Sequence, residues 1–172
     1  MFVGELHRAG LGTRCPLQNP GMEKRRQELE EPFGITPERM FEVLTTPHIV
    51  RDWWGATTVI IDPRKGGTWV AASGDNESRS EFVNSFEILE LDPPKRILLG
   101  GGKYFAGANW PIRTNMTTDL IIDDVPNGCL LRILLELDPA DPLLDDYFDA
   151  CVAGWQNSFE GIRNYLHNNP AE

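Results

Sequence analysis

Residues 148–166 read FDACVAGWQNSFEGIRNYL, and within them Phe148, Val152, Trp155, Phe159, Ile162 and Leu166 are spaced by four, three, four, three and four positions. At 3.6 residues per turn these intervals bring every large apolar side chain onto one stripe of a single helix. Such a stripe has to be covered. Because the chain before it is rich in strand signals, the helix is expected to lie against a sheet. Asp141-Pro142 supplies a capping residue and a first-position proline, and Asp145, Asp146 and Asp149 stand near the positive end of the helix dipole. These acids therefore read as capping and solvation. They lack the spacing of a calcium loop, and no metal site is expected there.

Moving back from the helix, Thr114 to Ile122, which alternates in part, and the apolar run Cys129 to Leu137 are joined through Pro126-Asn127-Gly128, which predicts a hairpin. Ile97 to Leu99 follows the double proline Asp92-Pro93-Pro94, and Glu81 to Leu91 precedes it with Phe82, Phe86 and Ile88 on one parity. Thr57 to Ile61 and Thr68 to Ala72 flank the turn residues Asp62-Pro63 and Gly66-Gly67, a second hairpin. Thr36-Pro37 starts a short helix that ends at Thr45-Thr46, and Pro47 starts another that Gly55 closes after Trp53-Trp54. Arg25 to Phe33 is expected as a first, edge strand, with Pro32 restricting its pairing. The fold class that results is α+β: a curved antiparallel sheet of six or seven strands wrapped around a long C-terminal helix, with two short helices after the first strand.

Residues 1–21 carry Gly4, Gly10, Gly12, Pro16, Pro20 and Gly21 and no apolar period. They are expected to be a disordered tail or a mis-assigned start upstream of Met22, and residues 22–172 are expected to form one domain. The 172 residues carry 16 basic and 26 acidic side chains, net −10, a field that repels nucleic acid and anionic membranes. Three cysteines, Cys15, Cys129 and Cys151, have neither a disulfide framework nor zinc-ligand spacing, so a reducing cytoplasm is the expected compartment. No signal-peptide pattern and no membrane-spanning run stands out in the sequence.

Several segments together resemble the SRPBCC superfamily, the START-like or helix-grip proteins, and in particular the homologues of the heat-shock-protein-90 ATPase activator's C-terminal domain. They are Thr36-Pro37-Glu38-Arg39 through Leu44-Thr45-Thr46-Pro47 and Trp53-Trp54, then Asp62-Pro63-Arg64-Lys65-Gly66-Gly67, Glu90-Leu91-Asp92-Pro93-Pro94-Lys95-Arg96, and Gly154-Trp155 leading to Tyr165-Leu166. The resemblance implies a hydrophobic cavity between the sheet and the last helix. It does not settle activity, since the superfamily includes carriers, receptors, cyclases and co-chaperone domains. Phe86 stands where the family pattern usually has glycine, and the link from Gly100 to Pro111 is longer than usual.

No catalytic set emerges. His7, His48 and His167 are not at ligand spacing with one another, and neither a Ser-His-Asp nor a Cys-His arrangement can be drawn. Gly100-Gly101-Gly102-Lys103 fails the phosphate-loop spacing, and Tyr104 occupies the place of its metal-binding hydroxyl. The glycine run reads either as a loop that lets Tyr104, Phe105 and Trp110 close over a pocket mouth or as a plain exposed connection. Trp53, Trp54, Trp69, Phe82, Phe86, Met116, Trp155 and Phe159 can fill a core or line a cavity for an apolar ligand.

The expected function is non-catalytic binding of a small hydrophobic or amphipathic molecule, with no cofactor. Two alternatives stand beside it. One is a cyclase, lyase or hydrolase orienting a substrate with Asp119, Arg132 or Tyr104, and the other is a domain that binds a chaperone or regulator. Arg132 interrupts the apolar run of residues 129–135. On the parity of Leu130 and Leu134 it points outward, on a face apolar enough to be covered by a second copy or by the N-terminal arm. Pointing inward, it would meet Glu90 or a ligand carboxylate.

Overall fold

The computed structural model describes residues 24–74, 81–106 and 112–170. The tail assigned to residues 1–21, and Trp110 of the glycine-rich segment, lie outside the described residues. The chain runs β1 (Arg25–Phe33), α1 (Pro37–Thr45), α2 (Pro47–Trp54), β2 (Thr58–Ile61), β3 (Thr68–Ser73), β4 (Phe82–Asp92), β5 (Arg96–Ala106), β6 (Ile112–Arg113), β7 (Thr117–Val125), β8 (Gly128–Leu137) and α3 (Asp145–Asn168). All pairs are antiparallel, in the order β1-β8-β7-β5-β4-β3-β2, with β6 added to β5 to make eight strands. No helix among the described residues is long and apolar enough to cross a membrane.

The sheet has one buried face because the side-chain period of its strands is two. Along β8, Cys129, Leu131, Ile133, Leu135 and Leu137 are buried, while Leu130, Arg132, Leu134 and Glu136 alternate with them on the other side. Arg132 thus takes the outward parity, donating to Asp123 at 2.6 Å and to Glu28 at 3.4 Å across three strands. Arg96 holds Asp119 in a forked pair on the same outer face, with contacts of 2.8 Å, and reaches Glu90 at 2.7 Å. The more exposed pairs, Arg132 with Asp123 and Glu28 and Arg96 with Glu90, contribute roughly 0–1 kcal/mol each, whereas the Asp119 carboxylate of the forked pair is buried.

The helical corner forms as its end signals dictate. The Thr36 hydroxyl accepts from the Arg39 amide at 3.3 Å, Pro37 fills the first position, and Gly55 ends α2 with a left-handed φ of 70°. Indole donors then fasten the corner to the core. Trp53 Nε1 donates to the Val43 carbonyl at 2.8 Å and Trp69 Nε1 to the Leu44 carbonyl at 3.2 Å, so both rings are buried with no donor left unpaired.

α3 begins later than Asp141-Pro142 suggests. Asp141 accepts from the Leu143 amide at 2.9 Å and caps a short 3₁₀ turn over Pro142–Leu144, from which the α-helix continues. The acidic residues that follow have a partner on the first strand. Arg25 donates to Asp145 at 2.7 Å, also binds Asp149, and lies 4.4 Å from the centre of the Phe148 ring. Further along, Arg163 pairs with Glu31 and ties the same two elements again. At Gly161 the helix comes so close to α2 that a Cβ there would stand 2.3 Å from the Trp53 carbonyl oxygen.

The glycine run is the main departure from expectation. Gly100 to Ala106 continues β5 instead of forming a loop, and Tyr104 is 3% exposed within it, so its ring is part of the core and not of a lid. Side chains of β4 and of Thr114, just after β6, occupy the space that Cβ atoms would need: a Cβ at residue 100 would meet Leu89 at 2.5 Å, and one at residue 102 would meet Thr114 and Phe86 at 2.9 and 3.2 Å. β4 is irregular opposite this run, with register shifts between Ser85 and Glu87 and between Ile88 and Glu90. Phe86, at a position where a glycine was the expectation, therefore fits because the glycine sits on the facing strand at Gly102.

Candidate functional site

The inner face of the sheet and the buried face of α3 bring most of the aromatic candidates into one cluster. Trp54 packs edge-on against Trp53, Trp69 and Trp155 with ring centres 5.3, 5.0 and 5.1 Å apart, and Trp69 reaches Phe86 at 6.1 Å. Phe159 lies apart from these rings and meets Phe33 at 6.3 Å. Met116 is fully buried before β7, and Phe82 is half-buried at the start of β4. The cluster is held from three sides, by α2, β3 and α3, because each contributes a tryptophan pointing to the same interior.

α3 makes its closest backbone approaches to α2, β1 and β8. Over the middle strands the gap is bridged by long side chains. Trp155 reaches Trp69 at 6.5 Å, and at the start of the helix Tyr147 meets Tyr104 of β5 with ring centres 5.9 Å apart. Both tyrosines are buried, at 4% and 3% exposure. Among the described residues neither hydroxyl has a hydrogen-bond partner, and the Thr118 hydroxyl on β7 is likewise buried and unpartnered. The Cys151 thiol, one helical turn from Tyr147, offers only a weak sulfur contact.

The electrostatics of this end of the interior are those of neutral groups. Burial raises the ionisation of Tyr104 and Tyr147 above the ordinary phenol value, and the nearby Cys151 adds to it in both. Burial pushes the Cys151 thiol up to about 12, with the Tyr147 hydroxyl opposing. These groups stay protonated at neutral pH. Among the described residues no Lys, Arg or His is buried, and the one buried carboxylate, Asp119, faces outward to Arg96. Asp119 and Arg132 are therefore removed as substrate-orienting groups: strand parity puts both on the side of the sheet away from α3. His48 and His167 are exposed on separate helices.

Among the described residues no group of three or more His, Cys, Asp or Glu is placed to hold a metal ion. Two grooves bounded by described residues lie on the outside of the molecule. One of about 420 Å³ runs between Pro37-Glu38 and the Asp92–Arg96 turn, and one of about 330 Å³ lies between α2 and β2 beside His48 and Arg51. Both are open; the first carries charges of both signs, and the second is lined by His48, Arg51 and threonines with no carboxylate.

Tyr147 and Cys151 were not among the sequence-derived candidates. A signal for them exists: Tyr147, Cys151, Gly154 and Ser158 repeat at four, three and four, a second ridge one residue ahead of the Phe148 stripe, and all four are buried.

The description Activator of Hsp90 ATPase homolog 1-like protein belongs to the family model that matches residues 35–167. Similar solved structures include a Mesorhizobium loti protein, 19% identical, covering 86% of this chain and 100% of its own, with a TM-score of 0.66. A Rhodobacter sphaeroides protein is 19% identical over 86% of this chain and 99% of its own, with a TM-score of 0.65. A Rhizobium leguminosarum protein is 17% identical over 86% and 97%, with a TM-score of 0.64. At these identities the likeness is one of fold. No curated protein matches the chain in sequence.

Proposed function

We propose, from the premise that this chain belongs to the Activator of Hsp90 ATPase homolog 1-like family, that it binds a small apolar molecule between the sheet and α3 without transforming it. The observation that carries this reading is the way α3 spans the sheet. Its close approaches are to α2, β1 and β8, while over the middle strands it is met by the large rings of Trp69 and Tyr104, with Phe86 packed against Trp69. Rings can rotate and admit a guest, whereas packed backbones cannot. Membership of the family supports a ligand-binding or regulatory domain at this coarse level, and fold alone does not choose the ligand. A non-catalytic role is favoured because, among the described residues, the interior groups are phenols, thiols and hydroxyls that stay neutral at pH 7.

Native mass spectrometry of the protein purified from its own host tests the proposal. A co-purifying small molecule, released on unfolding, is the expected result. Absence of any adduct, together with no change in tryptophan fluorescence on titration with 2-ethylnaphthalene, would overturn it.

A further inference from the structure

Buried hydroxyls normally find partners, and each one left alone in a protein interior costs roughly 1–3 kcal/mol. Three such groups face the same helix–sheet interior: Tyr104 on β5, Tyr147 on the first turn of α3, and Thr118 on β7. The two tyrosines come from opposite walls and meet with ring centres 5.9 Å apart and planes inclined at 46°. Phenylalanine in both places would fill the same volume without the unpaired oxygen, so core packing alone gives no account of the hydroxyls. Asn84, buried and in register with Tyr104 on the neighbouring strand, adds an amide to this otherwise apolar region.

We infer that the Tyr104 and Tyr147 hydroxyls form the recognition point of the interior site, donating hydrogen bonds to an accepting oxygen, of carbonyl type, on a neutral and otherwise apolar ligand. The inference rests on the proposed binding of an apolar molecule and adds its chemical class. An anionic ligand is excluded by its surroundings. Among the described residues no Lys, Arg or His is buried to meet a carboxylate, and Arg96 and Arg132 are engaged on the far face. Burial keeps both phenols protonated, so they remain donors at neutral pH. The aromatic cluster around Trp54, Trp69 and Trp155 offers flat apolar walls to the rest of such a molecule.

Three probes of one shape separate the possibilities: 2-acetylnaphthalene, which carries a carbonyl, 2-ethylnaphthalene, which carries none, and 2-naphthoate, which is charged. Binding to the full chain is read from tryptophan fluorescence and checked by calorimetry. The ketone is expected to bind about tenfold or more tighter than the hydrocarbon, as one or two good hydrogen bonds allow, and the anion weakest. In the Tyr104→Phe, Tyr147→Phe double variant the ketone should fall to the hydrocarbon's affinity while the hydrocarbon stays within about twofold. The variant should also fold at least as stably as the parent without ligand, since unpaired hydroxyls have been removed. Equal binding of ketone and hydrocarbon, tighter binding of 2-naphthoate, or a ketone preference that survives the double substitution would each overturn the inference while leaving apolar binding intact. Failure of all three probes would instead remove the proposed function, and the inference with it.

Discussion

Replacing Gly161 by alanine tests the close seat of α3 on α2. The added Cβ would stand 2.3 Å from the Trp53 carbonyl oxygen, against an ordinary contact of 3.4 Å or more. Roughly an ångström of separation is required, and the neighbour is backbone, so no rotamer change relieves the clash. α2 must then move away from α3, which disturbs the Trp53, Trp54 and Trp155 contacts that join them at 5.1–6.5 Å. Overpacking of this kind costs about 1–3 kcal/mol or more. Against it stands the gain of about 1 kcal/mol from replacing a helical glycine by alanine. Because the neighbour is backbone, the upper part of the overpacking range applies, about 2–3 kcal/mol, and the expected net is a loss of about 1–2 kcal/mol, a fall in Tm of roughly 2–8 °C for a chain of this size. Thermal and urea unfolding followed by tryptophan fluorescence measure it. Gly34→Ala is the control, because nothing lies within 4 Å of a Cβ there, and its effect should stay within about 0.5 kcal/mol. A Gly161→Ala protein as stable as the parent, or more so, would refute the close approach.

The Phe86 ring and Gly102 should be energetically coupled, since a Cβ at residue 102 would meet that ring at 3.2 Å and Thr114 at 2.9 Å. Gly102→Ala is expected to cost about 1–3 kcal/mol alone, and in the presence of Phe86→Leu at least about 0.5 kcal/mol less; strict additivity in a double-mutant cycle contradicts this. The Cys129 thiol is pushed up to about 11 and Cys151 to about 12 by burial, from an ordinary 9.0. Both should resist alkylation at pH 8 until the protein unfolds, as peptide mapping would show. The folded state holds these protons more tightly, so their contribution to stability is complete below about pH 9 and is lost as pH rises toward 11–12. Unfolding free energies that stay flat from pH 8 to pH 11 would contradict that sign.

The end signals of α1 and α2 were fully legible, because Thr36-Pro37 and Gly55 act on their own backbone within a few residues. The outward direction of Arg132 was legible as parity but not as a choice, since only the neighbouring strands bring Asp123 and Glu28 to it. The glycine run misled for the opposite reason. Glycine's backbone freedom suggests a loop when Gly100–Gly102 are taken alone, and only Leu89, Phe86 and Thr114, distant in sequence or on another strand, show why small residues are needed in a strand there. Of the candidate site, the ring cluster followed from stripe and parity, whereas the Tyr104–Tyr147 meeting did not, being a contact between a strand and a helix whose relative height no spacing encodes.

By itself the sequence determined the order of the longer elements, the buried parity of β8, the Phe148 stripe of α3 and the α+β class, since these depend on side-chain periods of 2.0 and 3.6 and on local end signals. Tertiary structure alone decided the pairing of β1 with β8, the seat of Gly161 on Trp53, and the meeting of two unpartnered phenols beneath α3. Those features arise where elements far apart in the chain approach within a few ångströms, and local pattern carries no measure of that distance.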